Sequence, residues 1–267
     1  MRYKLIALDV DGTLINNHYQ ITESTQQTIK EVHRQGAQIV LCTGRGPTST
    51  LPLLELLRLE GTVITHNGAA TVESVGSKLI HQFAFHMNQL QPFVDYCRAN
   101  TIHFDVNTAF EHYLERLTDV EREMYEKYLV TPIQIDDVMS IQEDIVKISI
   151  YAESDVLDQL TQDWPDIGHP QLKIIRSGEH FIDVMHQSAN KGNALKSLAN
   201  NWGIQAAEIL AIGNYYNDLE MLKFAGLGIV MDNSPEDMKR DADAVTASND
   251  EEGVHLALRQ YCLRTSE

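Results

Sequence analysis

Apolar residues fall in short unbroken runs near both ends of the chain, and each run gives way to a polar, turn-forming segment. Leu5-Ile6-Ala7-Leu8 leads into Asp9-Val10-Asp11-Gly12-Thr13-Leu14, and Gln38–Cys42 leads into Thr43-Gly44-Arg45-Gly46-Pro47. Thr62–Thr65 is followed by His66-Asn67-Gly68-Ala69, and Ile209-Leu210-Ala211-Ile212 by Gly213-Asn214. Continuous runs of this length mark strands covered on both faces, as in a parallel sheet. Helical patterns separate them. Residues 22–35 form a helix with Thr22 as its cap, Ile29 and Val32 facing inward and Gly36 as its stop. Residues 51–59, 192–202 and Leu219–Phe224 are predicted as further helices and Leu227–Met231 as a further strand, while residues 72–80 read as a hairpin turning at Ser74-Val75-Gly76-Ser77.

The rhythm changes from about Phe83. Residues 89–99, 119–128 and 157–164 are predicted helices, and residues 146–151 alternate as a strand does. Residues 173–176 and 180–185, on either side of Ser177-Gly178-Glu179, form a second hairpin. The stretch 83–187 is long enough to bury its own core. The expected fold is therefore α/β: a parallel-sheet domain built from residues 1–82 and 188–267, interrupted by an inserted domain at 83–187.

Charge narrows the function. The 267 residues hold 38 acidic and 21 basic side chains, a net charge of −17. Such a chain lacks the basic face of a general nucleic-acid or anionic-membrane binder, so neither partner is expected. A small anionic substrate would need a locally positive pocket made by a metal ion or a few aimed cations. Cys42, Cys97 and Cys262 are odd in number and far apart, which fits reduced thiols in a cytoplasmic protein. No run approaches the length of a membrane span, and the apolar start breaks at Asp9, unlike a signal peptide. The 11 histidines make no HxH or HExxH pair, so a zinc site is not expected.

Chemistry concentrates where strands end, and ligands of open α/β sheets bind there. Asp9 and Asp11 are two apart; in an extended segment they face one site, where their repulsion raises one pKa or recruits a cation. Taken alone, Asp11-Gly12 is also an ordinary turn former. Thr43-Gly44 offers a hydroxyl and backbone N–H groups to phosphate oxygens, or is a plain strand-to-helix turn. Lys191 stands at a helix start, against the helix dipole. An anion partner explains that placement; a surface lysine is the alternative. Asp218 can simply cap the helix that follows it. Together with Asp9 and Asn214 it would instead suit Mg²⁺, a hard cation that prefers oxygen ligands.

These segments, in this order, resemble the four motifs of the haloacid-dehalogenase-like phosphohydrolases: Asp9-Val10-Asp11-Gly12-Thr13, Thr43-Gly44-Arg45, Lys191, and Gly213-Asn214-Tyr215-Tyr216-Asn217-Asp218. The long insertion between the second and third motifs is similar to the C2 (type IIB) cap of the Cof-type subfamily. Asn67-Gly68-Ala69 and Phe181-Ile182-Asp183-Val184 also match the Cof pattern. The resemblance spans essentially the whole chain. It is specific for the superfamily and not for a substrate.

The resemblance implies a Rossmann-like core and a Mg²⁺-dependent phosphatase acting through an aspartyl phosphate. Asp9 would be the nucleophile and Asp11 the acid and base. Lys191, Thr43, Gly44, Val10 and Asn217 would hold the phosphate. Asp9, Asp11 (through its backbone carbonyl), Asn214 and Asp218 would hold the metal. The substrate class it implies is a small phosphorylated metabolite: a sugar phosphate, pyridoxal phosphate or flavin mononucleotide. The sequence does not specify an oligomeric state. One departure stands out, because family members carry aspartate where this chain has Asn214, so the site loses one formal charge. Three rivals remain. A phosphosugar mutase needs clustered arginines in its cap, whereas Arg98, Arg116, Arg122 and Arg176 are dispersed. A phospho-receiver switch is a single compact domain without such an insert. A phospho-metabolite binder would have lost catalysis through Asn214.

Overall fold

A computed structural model describes residues 2–127, 130–164, 170–178 and 180–263. The chain divides into two compact units, one of Met1–His81 with Asn190–Glu267 and the other of Gln82–Ala189.

The first unit opens with β1 (Leu5–Asp9), α1 (Glu23–Arg34), β2 (Gln38–Cys42), α2 (Pro47–Leu57), β3 (Thr62–Thr65), β4 (Ala70–Glu73) and β5 (Lys78–Gln82). Thr22 caps α1 as expected, its hydroxyl accepting from Thr25 N at 3.3 Å, while Ile29 and Val32 are buried. Helix α2 starts four residues before the expected Leu51. Pro47 stands in its first turn, where the missing N–H costs nothing.

The second unit contains α3 (Gln91–Asn100), β6 (His103–Asn107), β7 (His112–Leu114), α4 (Asp119–Lys127), β8 (Ile133–Gln134), β9 (Lys147–Tyr151), α5 (Ser154–Asp163), β10 (Leu172–Gly178) and β11 (Phe181–His186). Its six-stranded sheet has the order β10-β11-β9-β6-β7-β8, antiparallel except for the β7–β8 pair. One face carries Phe104, Val106, Ile148, Ile150, Ile182 and Val184, packed with Phe93 and Val94 of α3 and Leu157 and Leu160 of α5. Trp164 closes this core edge-on to Phe93, with 4.7 Å between ring centroids. Tyr128 and Glu179, parts of an expected helix and turn, lie outside the described residues.

The chain then returns to the first unit through α6 (Lys191–Trp202), β12 (Ile209–Gly213), α7 (Leu219–Phe224), β13 (Leu227–Met231), α8 (Glu236–Asp241), β14 (Ala244–Thr246) and α9 (Gly253–Tyr261). Its eight strands have the order β14-β13-β12-β1-β2-β3-β4-β5. The six from β14 to β3 run parallel, and β4 turns back antiparallel on β3. The apolar runs of β1 and β2 are buried almost throughout, which is why they read as unbroken. Strand β1 lies between β12 and β2, so the C-terminal ends of all three, and the loops that follow them, share one edge of the sheet.

Candidate active site

Lys191 joins the far ends of two strands. It is the first residue of α6, whose cap Asn190 accepts from Asn193 N at 2.7 Å, and it is completely buried. Its ammonium donates to Asp9 Oδ1 at 2.7 Å, at the end of β1, and to Asp218 Oδ1 at 2.6 Å, beyond β12. Both carboxylates are buried too. Of the two readings of Lys191, the structure has the anion partner rather than the surface lysine: its partners are a pair of buried aspartates. Three such groups out of water are tolerable only because each meets a charged partner. Burial works against the Lys191 ammonium, but the charges of Asp218 and Asp9 outweigh it and hold its pKa above the ordinary value. Burial, and then the Asp218 charge, push the Asp9 carboxyl up to about 7 against the pull of Lys191.

Asp218 does not cap α7 with its side chain. Its Oδ2 turns back to accept the backbone N–H groups of Asn214 (2.9 Å) and Tyr215 (3.1 Å), which folds the loop after β12 around it. Both Asp218 oxygens are therefore engaged, one by Lys191 and one by the loop.

Asp11 departs from expectation. The extended geometry that would aim it alongside Asp9 stops at Asp9, because the Val10 carbonyl accepts from the N–H groups of Thr13 (3.3 Å), Leu14 (3.0 Å) and Ile15 (3.1 Å) and closes a turn. The Asp11 carboxylate is half exposed and forked by Arg45, with Nε to Oδ2 at 2.9 Å and Nη2 to Oδ1 at 2.5 Å. The carboxylate charge that raises Asp9 most is that of Asp218.

Asn214 sits over the same turn. One end of its carboxamide lies 3.1 Å from Asp9 Oδ2, 3.1 Å from the Asp11 carbonyl oxygen and 3.3 Å from Thr13 Oγ1. With nitrogen at that end the amide donates to these acceptors. With oxygen there, a carboxylate, a carbonyl and a carboxamide oxygen converge, and only a cation makes that arrangement favourable. Gly12, with φ +75°, leaves room for the amide: a Cβ there would sit 2.3 Å from Asn214 Nδ2.

The remaining expected residues form a second group. Thr43 is buried; its Oγ1 accepts Arg45 N at 3.1 Å and its carbonyl accepts Asn67 N at 2.9 Å. Asn217 is exposed and donates through Nδ2 to Asn67 Oδ1 at 3.0 Å. Gly44 faces the same amide, since a Cβ on it would lie 3.1 Å from Asn67 Oδ1. Hydrogen bonds thus link Asp9, Asp218 and Lys191 in one group, with Thr43 and Asn217 in the other, joined through Asn67. The sequence had singled out Asn67 only as part of a pattern. Its Asn-Gly pair, where left-handed backbone is common, was the available signal.

Similarity to known proteins runs along nearly the whole chain. Residues 6–258 match the model of the haloacid dehalogenase-like hydrolase family. The chain is 30% identical to the phosphatase YwpJ of Bacillus subtilis (strain 168), over 94% of this chain and 97% of that protein. It is also 30% identical to the 5-amino-6-(5-phospho-D-ribitylamino)uracil phosphatase YwtE of the same organism, over 96% and 97%. The crystal structure of a haloacid dehalogenase-like hydrolase from Bacteroides thetaiotaomicron matches with a TM-score of 0.89 at 27% identity, covering 97% of this chain and 99% of that one. A parallel α/β sheet, acidic loops at its C-terminal edge and similarity along nearly the whole length lead to one conclusion: the chain belongs to the haloacid dehalogenase-like hydrolase family and is a phosphatase of the Cof type.

Proposed function

We propose that this protein is a Mg²⁺-dependent phosphatase that hydrolyses small phosphorylated metabolites through an aspartyl phosphate on Asp9. The observation that carries this reading is the buried Lys191 bridge between Asp9 and Asp218 at the sheet's C-terminal edge, with the Asn214 amide against Asp9. A phosphate monoester repels nucleophiles, so catalysis needs aimed positive charge and an in-line nucleophile.

The donor set suits a hard cation. No group of three His, Cys, Asp or Glu side chains able to hold a metal occurs among the described residues. The convergent atoms are instead Asp9 Oδ2, the Asp11 carbonyl and the Asn214 carboxamide oxygen. The Asn214 amide atom lies 3.1 Å from each of the other two, so the three oxygens would be able to share one hard cation. Asp218 would complete the site. Bound Mg²⁺ would offset the charge of the phosphoryl oxygens.

Asp9, held by Lys191, attacks phosphorus and divides one hard step into two. Asp11 protonates the leaving oxygen and then takes a proton from the hydrolytic water. Its fork with Arg45 is half exposed, and such a pair releases at a cost of roughly 0–1 kcal/mol. Lys191, Thr43, Asn217 and the N–H groups near Val10 and Gly44 contact the phosphoryl oxygens.

Residues 83–187 are read as the cap, the unit that would confer selectivity for the leaving group. Arginines of this unit are occupied separately: Arg98 by Glu115 and Asp137, and Arg176 by Asp158 and Ser154. That dispersal disfavours a mutase, which must grip a second phosphate. Sugar phosphates, pyridoxal phosphate and flavin mononucleotide are the leading substrate types. The phosphoribityl compound named for the relative YwtE adds a phosphorylated polyol amine. The three cysteines are unlinked, in keeping with a cytoplasmic enzyme, and no described helix is long and apolar enough to cross a membrane.

A panel of phosphorylated metabolites assayed with Mg²⁺, and again after EDTA treatment, tests the reading. Release of phosphate that depends on Mg²⁺ supports it, and full activity in EDTA overturns the metal's role. Asn214→Asp refines the same test by restoring a carboxylate beside Asp9. Attraction of a few kcal/mol at an effective dielectric near 20 is partly cancelled by repulsion from Asp9 and Asp218. Half-saturation by Mg²⁺ should tighten roughly tenfold, about 1.4 kcal/mol. An unchanged half-saturation means that Asn214 does not bind the metal.

A further inference from the structure

We propose that Asn67 is a positioning residue for the phosphoryl group and acts through Asn217. The inference rests on the reading above that Asn217 contacts substrate phosphate. It starts from an unusual stretch of backbone: His66, Asn67 and Gly68 follow β3 with φ of +49°, +53° and +89°. Three consecutive left-handed residues do not persist unless their surroundings hold them.

Here both sides of the segment are held. His66 N donates to the Arg45 carbonyl and Asn67 N to the Thr43 carbonyl, each at 2.9 Å, which ties the segment to the loop after β2. On the other side Gly68 packs against the start of α6, where a Cβ would come within 2.2 Å of the Asn190 carbonyl oxygen. The segment therefore spans the Thr43-Gly44 loop and the residue immediately before Lys191.

From this fixed point Asn67 Oδ1 accepts one proton of Asn217 Nδ2 at 3.0 Å. Asn217 is otherwise exposed, in a short turn beyond β12, and a side chain so placed samples several rotamers. The bond to Asn67 removes that freedom and sets the amide's sense. One Nδ2 proton is spent on Asn67, the second remains for an oxyanion, and Oδ1 is turned away from repelling it. The amide of Asn67 also lines the face of Gly44, so a single side chain borders two of the groups expected to hold the phosphate. Asparagine suits this post because it tolerates a left-handed φ and accepts without charge. An aspartate in its place would accept equally well and repel the substrate.

Asn67→Gly is the variant of choice, since glycine takes this backbone without strain and removes only the amide. Calorimetric binding of inorganic phosphate to the Mg²⁺-loaded protein reads the effect, alongside kcat and KM. For a lost positioning bond worth about 1 kcal/mol, phosphate should bind roughly fivefold more weakly, with the thermal midpoint near the parent's. Asn217→Ala should weaken binding at least as much, and the double variant no more than Asn217→Ala alone, because the two residues act in series. Additive losses, or an unchanged phosphate affinity in Asn67→Gly while Asn217→Ala weakens it, overturn the proposal. An unchanged affinity in Asn217→Ala removes the underlying phosphate contact, and Asn67's role falls with it.

Discussion

Asp9→Asn abolishes turnover while making the metal-free protein more stable. An amide is a poor nucleophile and a weaker ligand for a divalent cation, so phosphate release should fall by on the order of 10⁴-fold or more, as for nucleophiles removed from other enzymes. The gain in stability follows from burial. Asp9 is almost wholly buried beside the carboxylate of Asp218, and its pKa in the folded chain stands near 7. In the unfolded chain it returns to about 3.9. As pH rises through this window the unfolded chain gives up the proton first, so the folded state loses stability between about pH 4 and pH 7. Asparagine still accepts from Lys191 and carries no proton to lose. Urea midpoints in EDTA at pH 5 and pH 8 should differ less for Asp9→Asn than for the parent, by on the order of 1 kcal/mol. Equal slopes in the two proteins would show that Asp9 titrates as an ordinary carboxylate.

Lys191→Met should be the most disruptive single change in the first unit. It leaves Asp9 and Asp218 buried at the sheet edge without their shared cation. Breaking a buried ion pair on one side costs about 3–5 kcal/mol, because the charge left behind is uncompensated. The sign with pH follows from Asp9, whose carboxyl is already raised to about 7 by burial and the Asp218 charge: it takes up a proton as pH falls, and the variant should recover part of its deficit below pH 5. Chemical denaturation at pH 8 and pH 5 measures this, and a deficit that persists undiminished at low pH would place the lysine's contribution in packing rather than charge. Phosphatase activity should be lost at every pH where the variant is folded.

Much of the first unit was legible because its strands are buried on both faces. In β2, β3 and β13 the apolar run and the turn residues after it marked both ends. In the second unit the same logic found β9, β10 and β11 and missed β6. Strand β6 reads His-Phe-Asp-Val-Asn, and all five residues are buried: His103 and Asp105 both contact Tyr125, and Asn107 donates to Asp105. Hydrophobic patterning has no means of recognising a strand whose polar half is also covered. The short β14 and the C-terminal α9 were passed over as well, being brief and mixed in composition.

At the site, Lys191 showed itself by standing at the wrong end of a helix, and the structure supplied its two anions. The i, i+2 rule did not foresee the Arg45 fork on Asp11, because the backbone stays extended only to Asp9 and turns at the Val10 carbonyl. The split between the Asp9–Lys191–Asp218 trio and the Asn67-linked group was invisible, since their partners are far apart in sequence.

The stacked rings of Phe83 and His186, 6.0 Å apart, bear on how such a chain can fold at all. Strand β1 pairs with β12 across most of the sequence, and about half of the intervening stretch is the second unit; a flexible loop of roughly a hundred residues costs about 4 kcal/mol in chain entropy to close. Here the intervening segment has its own core, and residues near its two ends meet. Once it has folded, the polymer between the two halves of the parallel sheet behaves as a short connector. The topology is thereby tolerant of what is inserted: a segment of another size or shape fits the same break, provided its ends come together.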